Sequence, residues 1–327
     1  MEGLFTKLSP LFHLTRVTMG FAAVANVWFV LLWSHAMPGE LERADPRIFQ
    51  DQSIVVLLAG GAALALGLFT YAMALNDTLD VRRDRSLHPE RPLPAGLISY
   101  ESAVGVVAVT LMIAVTGAAI LGVPAVMLTL LTAGAILFYY TVARYMPSVG
   151  FVALSLIYGS HMVAPNMRII FVWPIWLVMT HAIVLYAITH MLSRRRPRLT
   201  ITMVLSASLG YVFWSYILLV VGYSRAGTVW PEWVPPSAGV IPGVLAIVFI
   251  SFAIYKAKTT KHRERTAEKL QRYGAFWLTL YAIGWMAGAG LRDEALILSG
   301  LALAGLIGMT ILREIYGLVE HPVGFRR

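Results

Sequence analysis

An all-α, polytopic membrane protein, a bundle of nine or ten transmembrane helices, is the fold class that three features of the sequence predict. Hydrophobic residues make up 58% of the 327 positions and charged residues 13%, with a mean hydropathy of +0.72, far too apolar for a soluble domain. The apolar residues fall into runs near the length a bilayer core demands, separated by connectors carrying Pro, Gly or charge. Lysine and arginine concentrate in alternate connectors, as the positive-inside rule requires. A single transmembrane domain over residues 1–327 is expected. The absence of cysteine excludes disulfides, thiolate metal sites and cysteine nucleophiles together.

Residues 1–14 carry Phe5, Leu8, Leu11, Phe12 and Leu14 among polar residues and read as a short interfacial helix. No cleavage-site pattern follows the first apolar run, so that run is expected to be a retained span. It extends from about Thr15 to Trp33, opens with Arg16 and contains Asn26. After a polar connector with Pro38, Glu40, Glu42, Asp45 and Pro46, a second span covers about Ile54 to Leu75. Its Gly60, Gly61, Ala62, Ala63, Ala65 and Gly67 let neighbouring helices approach closely. Pro89, Pro92, Pro94 and Gly96 forbid helix after it and predict an ordered loop over 86–98. The third and fourth spans, about Ser102–Leu121 and Ala125–Val142, are joined by the tight turn Gly122-Val123-Pro124 and form an antiparallel pair. A shorter fifth span (about Val149–Val163) reaches Pro165-Asn166, and a sixth (about Ile169–Leu192) ends in Ser193-Arg194-Arg195-Arg196. The seventh runs from about Leu199 to Val221, and the Tyr223, Trp230 and Trp233 that follow have an interfacial aromatic composition. An eighth (about Val240–Tyr255) empties into a basic stretch whose end, to Arg272, reads as an amphipathic surface helix. Spans nine and ten, about Tyr273–Leu291 and Ala295–Leu312, close the chain.

With a cytoplasmic N-terminus, roughly 21 of the 26 Lys and Arg residues fall on one side, leaving Arg43, Arg47, Arg168, Arg225 and Arg292 opposite. The net charge of +9 then follows from topology and from contact with anionic membrane lipids, and nucleic acid is not an expected partner. The same topology brings the end of the second span, Tyr140 and Arg144 after the fourth, and His190 and Arg194 after the sixth to one membrane face, the cytoplasmic one.

At that face the second span ends in Asn76-Asp77-x-x-Asp80-x-x-x-Asp84-Arg85. On one continuous helix Asn76, Asp77, Asp80 and Asp84 share a face, an oxygen-rich stripe about 12 Å long. Oxygen-only donors suit Mg²⁺ carrying a phosphate-bearing substrate better than zinc or a softer metal. Carboxylates beside lipid are costly, which marks the stripe as functional. The interleaved Arg82, Arg83 and Arg85 also fit a solvated helix end with Asp–Arg pairs.

The stripe and the following His88-Pro89-Glu90-Arg91-Pro92-Leu93-Pro94-Ala95-Gly96 closely resemble the first acidic motif and loop of the UbiA superfamily of intramembrane prenyltransferases. Arg16, and Tyr140-x-x-x-Arg144 in place of the family's Tyr-x-x-x-Lys, extend the similarity through the N-terminal half. The resemblance implies a helical bundle around a lipid-accessible central cavity. It implies a Mg²⁺-dependent transferase that moves an isoprenoid group from its diphosphate donor to a hydrophobic aromatic or lipid acceptor. Asn76, Asp77, Asp80 and Asp84 would hold or support the metal, with Asp77, Asp80 and Asp84 catalytic. Arg16, Arg85, Arg91 and Arg144 are candidates for the diphosphate oxygens, and Tyr140, His190, Arg194 and Arg195 complete the substrate site.

The family's second acidic motif is missing. Where the sixth span should end in aspartates the chain reads Thr189-His190-Met191-Leu192-Ser193-Arg194-Arg195-Arg196, with no carboxylate from His161 through Arg225. Guanidinium forks at Arg194 and Arg195 that replace the second metal are one reading. Transfer of phosphoribose to a polyprenyl phosphate is another, and a non-catalytic lipid-binding descendant a third. No internal repeat of the transporter kind is visible. His181, nine residues before His190, is expected on a similar helical face, giving a polar track, whereas Asn26 and Asn166 are expected to satisfy helix contacts.

Overall fold

The computed structural model describes residues 10–12, 14–16, 19–193 and 197–320, side chains of 309 and 312–320 excepted. Ten helices of at least 16 residues carry the fold. They are α1 (Phe21–Ala36), α2 (Ile54–Leu79), α3 (Tyr100–Ile120), α4 (Val123–Thr141), α5 (Pro147–Val163), α6 (Trp173–Leu192), α7 (Ile201–Ala226), α8 (Val240–Thr259), α9 (Arg263–Gly288) and α10 (Arg292–Glu320). Each coincides in order with an expected span. Six are long and apolar enough to cross a bilayer outright: α2, α3, α4, α6, α7 and α8 with its leading turn from Pro236. α1 and α5 are apolar but shorter, at 16 and 17 residues. The outward faces of α7, α8 and α10 expose Leu209, Tyr216, Ile247 and Leu303, large apolar side chains whose natural solvent is lipid.

Two boundaries differ from expectation. The first span does not run through Arg16: that residue adopts the left-handed conformation, φ 47°, and α1 begins only at Phe21. The expected amphipathic surface helix and ninth span are one unbroken helix, α9, because no Pro or Gly interrupts the register between Arg263 and Tyr273.

α2 is the central strut, packed against α1, α3 and α4. Its small residues act as predicted: a Cβ on Gly67 would stand 2.4 Å from the Ala114 amide nitrogen, and one on Gly117 2.4 Å from that of Leu64. The α2 and α3 backbones therefore touch, the close approach that only small residues permit. α5 packs on α4, α6 and α7, and α9 packs on α1, α6, α8 and α10.

At the membrane face opposite the acidic motif, Phe171 is surrounded by the rings of Trp33 (5.2 Å), Trp230 (4.9 Å) and Trp285 (5.3 Å). Trp230 thus faces inward, while Tyr223 stays exposed as a belt residue would. Glu40, 1% exposed on the short helix Pro38–Leu41, accepts from the Ile170 and Phe171 amides at 2.9 and 2.8 Å and fixes this connector. Burial holds its carboxyl above the ordinary range despite those amides and the nearby Arg225. A raised folded-state value means the native protein binds more protons than the unfolded chain, so stability falls as pH rises from about 4.5 through the folded value. Thermal melts of the detergent-solubilised protein are expected to show that fall, and Glu40→Gln to flatten it; an unchanged slope would mean that Glu40 is not its source.

Candidate functional site

α2 does not continue through the acidic motif. It ends at Leu79; Asp80 caps it with φ −87° and ψ 2°, and a separate short helix, Val81–Leu87, follows. The expected continuous stripe is therefore bent at Asp80, where Arg144, 64 residues away in sequence, holds the side chain. Each of the three carboxylates has a guanidinium partner, and Arg91 stands between Asp77 and Asp84.

Arg144, in the turn Ala143–Tyr145 that ends α4, grips Asp80 in a two-pronged pair, Nη1 to Oδ2 at 2.8 Å and Nη2 to Oδ1 at 2.5 Å. Its Nη2 also donates to the Tyr145 hydroxyl at 2.6 Å, and its Nη1 lies 3.4 Å from Asn76 Oδ1. Arg16, whose backbone is left-handed, uncommon for a residue with a Cβ, donates to Asp77 Oδ1 at 3.1 Å. Asn76 Nδ2 donates to the same oxygen at 3.0 Å. Arg91 donates to Asp84 Oδ2 at 2.6 Å and stands 3.7 Å from Asp77 Oδ1. The proline-rich loop that carries Arg91 is pinned by Leu93 and Ile98, buried with Leu14, Ala74 and Ala103. Asp77 and Asp84 are buried, and the three carboxylates meet three guanidiniums, so the cluster carries no net charge.

Directly inside this cluster lies a cavity of about 130 Å³ walled by α1, α2, α4, α5, α6 and α9. Ala72 and Met73 sit one turn before Asn76 and Asp77, Tyr140 one turn before Arg144, and Tyr186 one turn before His190, and all four side chains line it. The walls are mostly aliphatic, with Tyr139, Tyr140, Tyr158 and Tyr186 as aromatic members and Asn26, Thr132 and His161 as polar ones.

The other expected site residues lie elsewhere or outside this geometry. Arg85 is exposed. His190 is buried, its Nε2 3.0 Å from the Pro197 carbonyl and its ring edge-on to Phe151. Arg194 and Arg195 lie outside the described residues. The expected His181–His190 track does not form: nine residues are two and a half turns, which puts the rings on opposite faces. His181 faces Tyr281 and Phe249 instead. Asn166 is a structural residue as expected, donating to Ser34 at 2.9 Å. Asn26 is not, since it lines the cavity with Oδ1 unpartnered. Tyr158, His161 and Tyr186 also line the cavity, and of these the histidine, lying within an apolar span, is the one whose role is readable from sequence.

Fold and site together define a multi-pass membrane protein in which a charged cluster at one face closes over an apolar chamber between the helices. The UbiA prenyltransferase family model matches residues 28–280, more than half of the chain, and the protein belongs to that family. A structure of digeranylgeranylglyceryl phosphate synthase superposes with a TM-score of 0.56 and 16% identity, covering 88% of this chain and 99% of its own, a likeness of fold. The apo structure of a UbiA homologue from Aeropyrum pernix K1 gives a TM-score of 0.46 at 18% identity, covering 91% and 98%. Comparison with curated proteins gives no match.

Proposed function

We propose that the protein is an intramembrane transferase that moves an isoprenoid group from its diphosphate to a hydrophobic acceptor, with the Arg16, Arg91, Arg144, Asn76, Asp77, Asp80 and Asp84 cluster binding the diphosphate. The observation that carries this reading is the placement of three arginine–aspartate pairs at the mouth of an apolar cavity. A diphosphate head needs donors and a polyprenyl tail needs a dry channel; the two stand one helical turn apart.

The neutral cluster alone does not balance a diphosphate. The donor set is oxygen-only, and Mg²⁺ takes one or two carboxylates with the rest of its shell from phosphate and water. That fits a site where, among the described residues, no group of three His, Asp or Glu side chains converges to hold a metal unaided. Asp77, Asp80 and Asp84, supported by Asn76, would hold it, and when bound it supplies the positive charge that stabilises the leaving diphosphate. Arg16, Arg91 and Arg144 turn from their carboxylates to the phosphate oxygens, Arg144 by its two-pronged fork. Arg85 is a further candidate for the phosphate oxygens beside the first motif, and the sequence carries Arg194 and Arg195 where the family's second acidic motif would stand.

In the reaction the bond from the allylic carbon to the diphosphate oxygen breaks, its electron pair leaving with the diphosphate. The acceptor then gives an electron pair to that carbon and loses a proton. The tyrosine rings lining the cavity stabilise the cation, and the aliphatic walls keep water from it. The concentration of Lys and Arg on the same side supports a cytoplasmic face for the site.

Equilibrium binding to purified protein distinguishes the donors. Geranylgeranyl diphosphate is expected to bind and phosphoribosyl diphosphate to fail to compete. Preferential binding of phosphoribosyl diphosphate would replace the reading with sugar-phosphate transfer.

A further inference from the structure

The inner end of the cavity is not as apolar as its walls. Asn26 is 3% exposed, lines the cavity, and has no hydrogen-bond partner for Oδ1. His161, from α5, lines the same cavity with Nε2 buried and unpartnered. Thr132, on a neighbouring wall, is by contrast satisfied by the Leu128 carbonyl at 2.7 Å.

The two unpartnered atoms lie within about one helical turn of each other in depth. α1 and α2 run antiparallel with Trp28 Nε1 donating to the Leu58 carbonyl and Val27 facing Gly61, which sets Asn26 level with the residues just after Gly61. The Ala65 carbonyl stands beside the His161 ring. Ala65 precedes Asp77 by twelve residues, about 18 Å of helix rise. Both atoms therefore sit at the far end of the chamber from the arginine–aspartate cluster.

Their chemistry is the same. Asn26 Oδ1 only accepts, and His161 Nε2 is an acceptor in the tautomer that carries its proton on Nδ1. A plain hydrocarbon tail ending there leaves two buried acceptors unsatisfied, an unfavourable outcome for a site built around it. We infer that the inner end of the cavity is a hydrogen-bond-acceptor subsite for an O–H group carried by the lipid-soluble substrate, remote from the diphosphate. This rests on the proposed function only in taking the cavity as the chamber for an apolar substrate. The hydroxyl comes either from the end of the donor's chain or from the acceptor.

Two matched pairs of probes test it by equilibrium binding to the purified full-length protein: farnesyl diphosphate against its ω-hydroxy form, and an alkylbenzene against the 4-alkylphenol of the same length. The hydroxylated member of one pair is expected to bind about tenfold more tightly, and which pair does so identifies the source. Asn26→Leu and His161→Phe are expected to abolish the preference while farnesyl diphosphate still binds, and His161→Gln, which keeps an acceptor, to retain part of it. Equal binding within both pairs, as when a trapped water satisfies both atoms, overturns the inference, as does a preference unchanged in the variants. If the phenol preference holds but neither diphosphate binds, the transferase reading fails and the subsite stands.

Discussion

Asp80→Asn is expected to lower turnover by at least about 10²-fold, the scale on which removal of one preorganised electrostatic group acts, while the protein still folds. Asp80 is the hinge of the polar face: it ends α2, starts the next helix, and is held by both prongs of Arg144. The amide keeps the shape but loses the charge, so Arg144 keeps one acceptor and the site loses a candidate metal ligand. Pyrophosphate release by the purified variant, beside a size-exclusion profile, checks this. Full activity with a normal profile would remove Asp80 from the site.

Arg144→Lys is expected to weaken donor binding by about tenfold to a hundredfold, although the charge is kept. A lysine ammonium has no planar fork, so it cannot meet a carboxylate or a phosphate with two parallel hydrogen bonds. The guanidinium is also held by its neighbour Tyr145, lying 4.8 Å from its ring and donating to its hydroxyl at 2.6 Å, and the shorter-reaching ammonium loses both. Arg144→Ala is the less informative change, because it leaves Asp80, whose side chain is only 12% exposed, without its partner, at a cost of up to about 3 kcal/mol. Donor titration of the lysine variant separates binding from folding; an unchanged affinity would leave Arg144 as a structural residue only.

Much of this architecture was legible in the chain. Runs of about twenty apolar residues fix where helices lie, and the glycines of α2 announced the backbone contact with α3 that Gly67 and Gly117 make. The candidate site was legible as a motif but not as a geometry. Spacing on an uninterrupted helix predicts one stripe, whereas the bend at Asp80 and the left-handed Arg16 depend on partners 61 and 64 residues away in sequence. Those pairings are tertiary, and no local pattern encodes them. The interior histidines show the same limit from the other direction: counting turns puts His181 and His190 on opposite faces, but only packing tells that His161 borders the cavity and His190 the loop at Pro197.

Pyrophosphate release from geranylgeranyl diphosphate, measured on the purified protein as Mg²⁺ is titrated in and then chelated, tests most directly whether the cluster above the cavity is a diphosphate site that works with a metal. Release that rises with Mg²⁺, stops on chelation and is lost in Asp77→Asn and Asp84→Asn is the expected result. Tight donor binding with no release at any Mg²⁺ concentration and with any acceptor would contradict it and leave a lipid-binding member of the family.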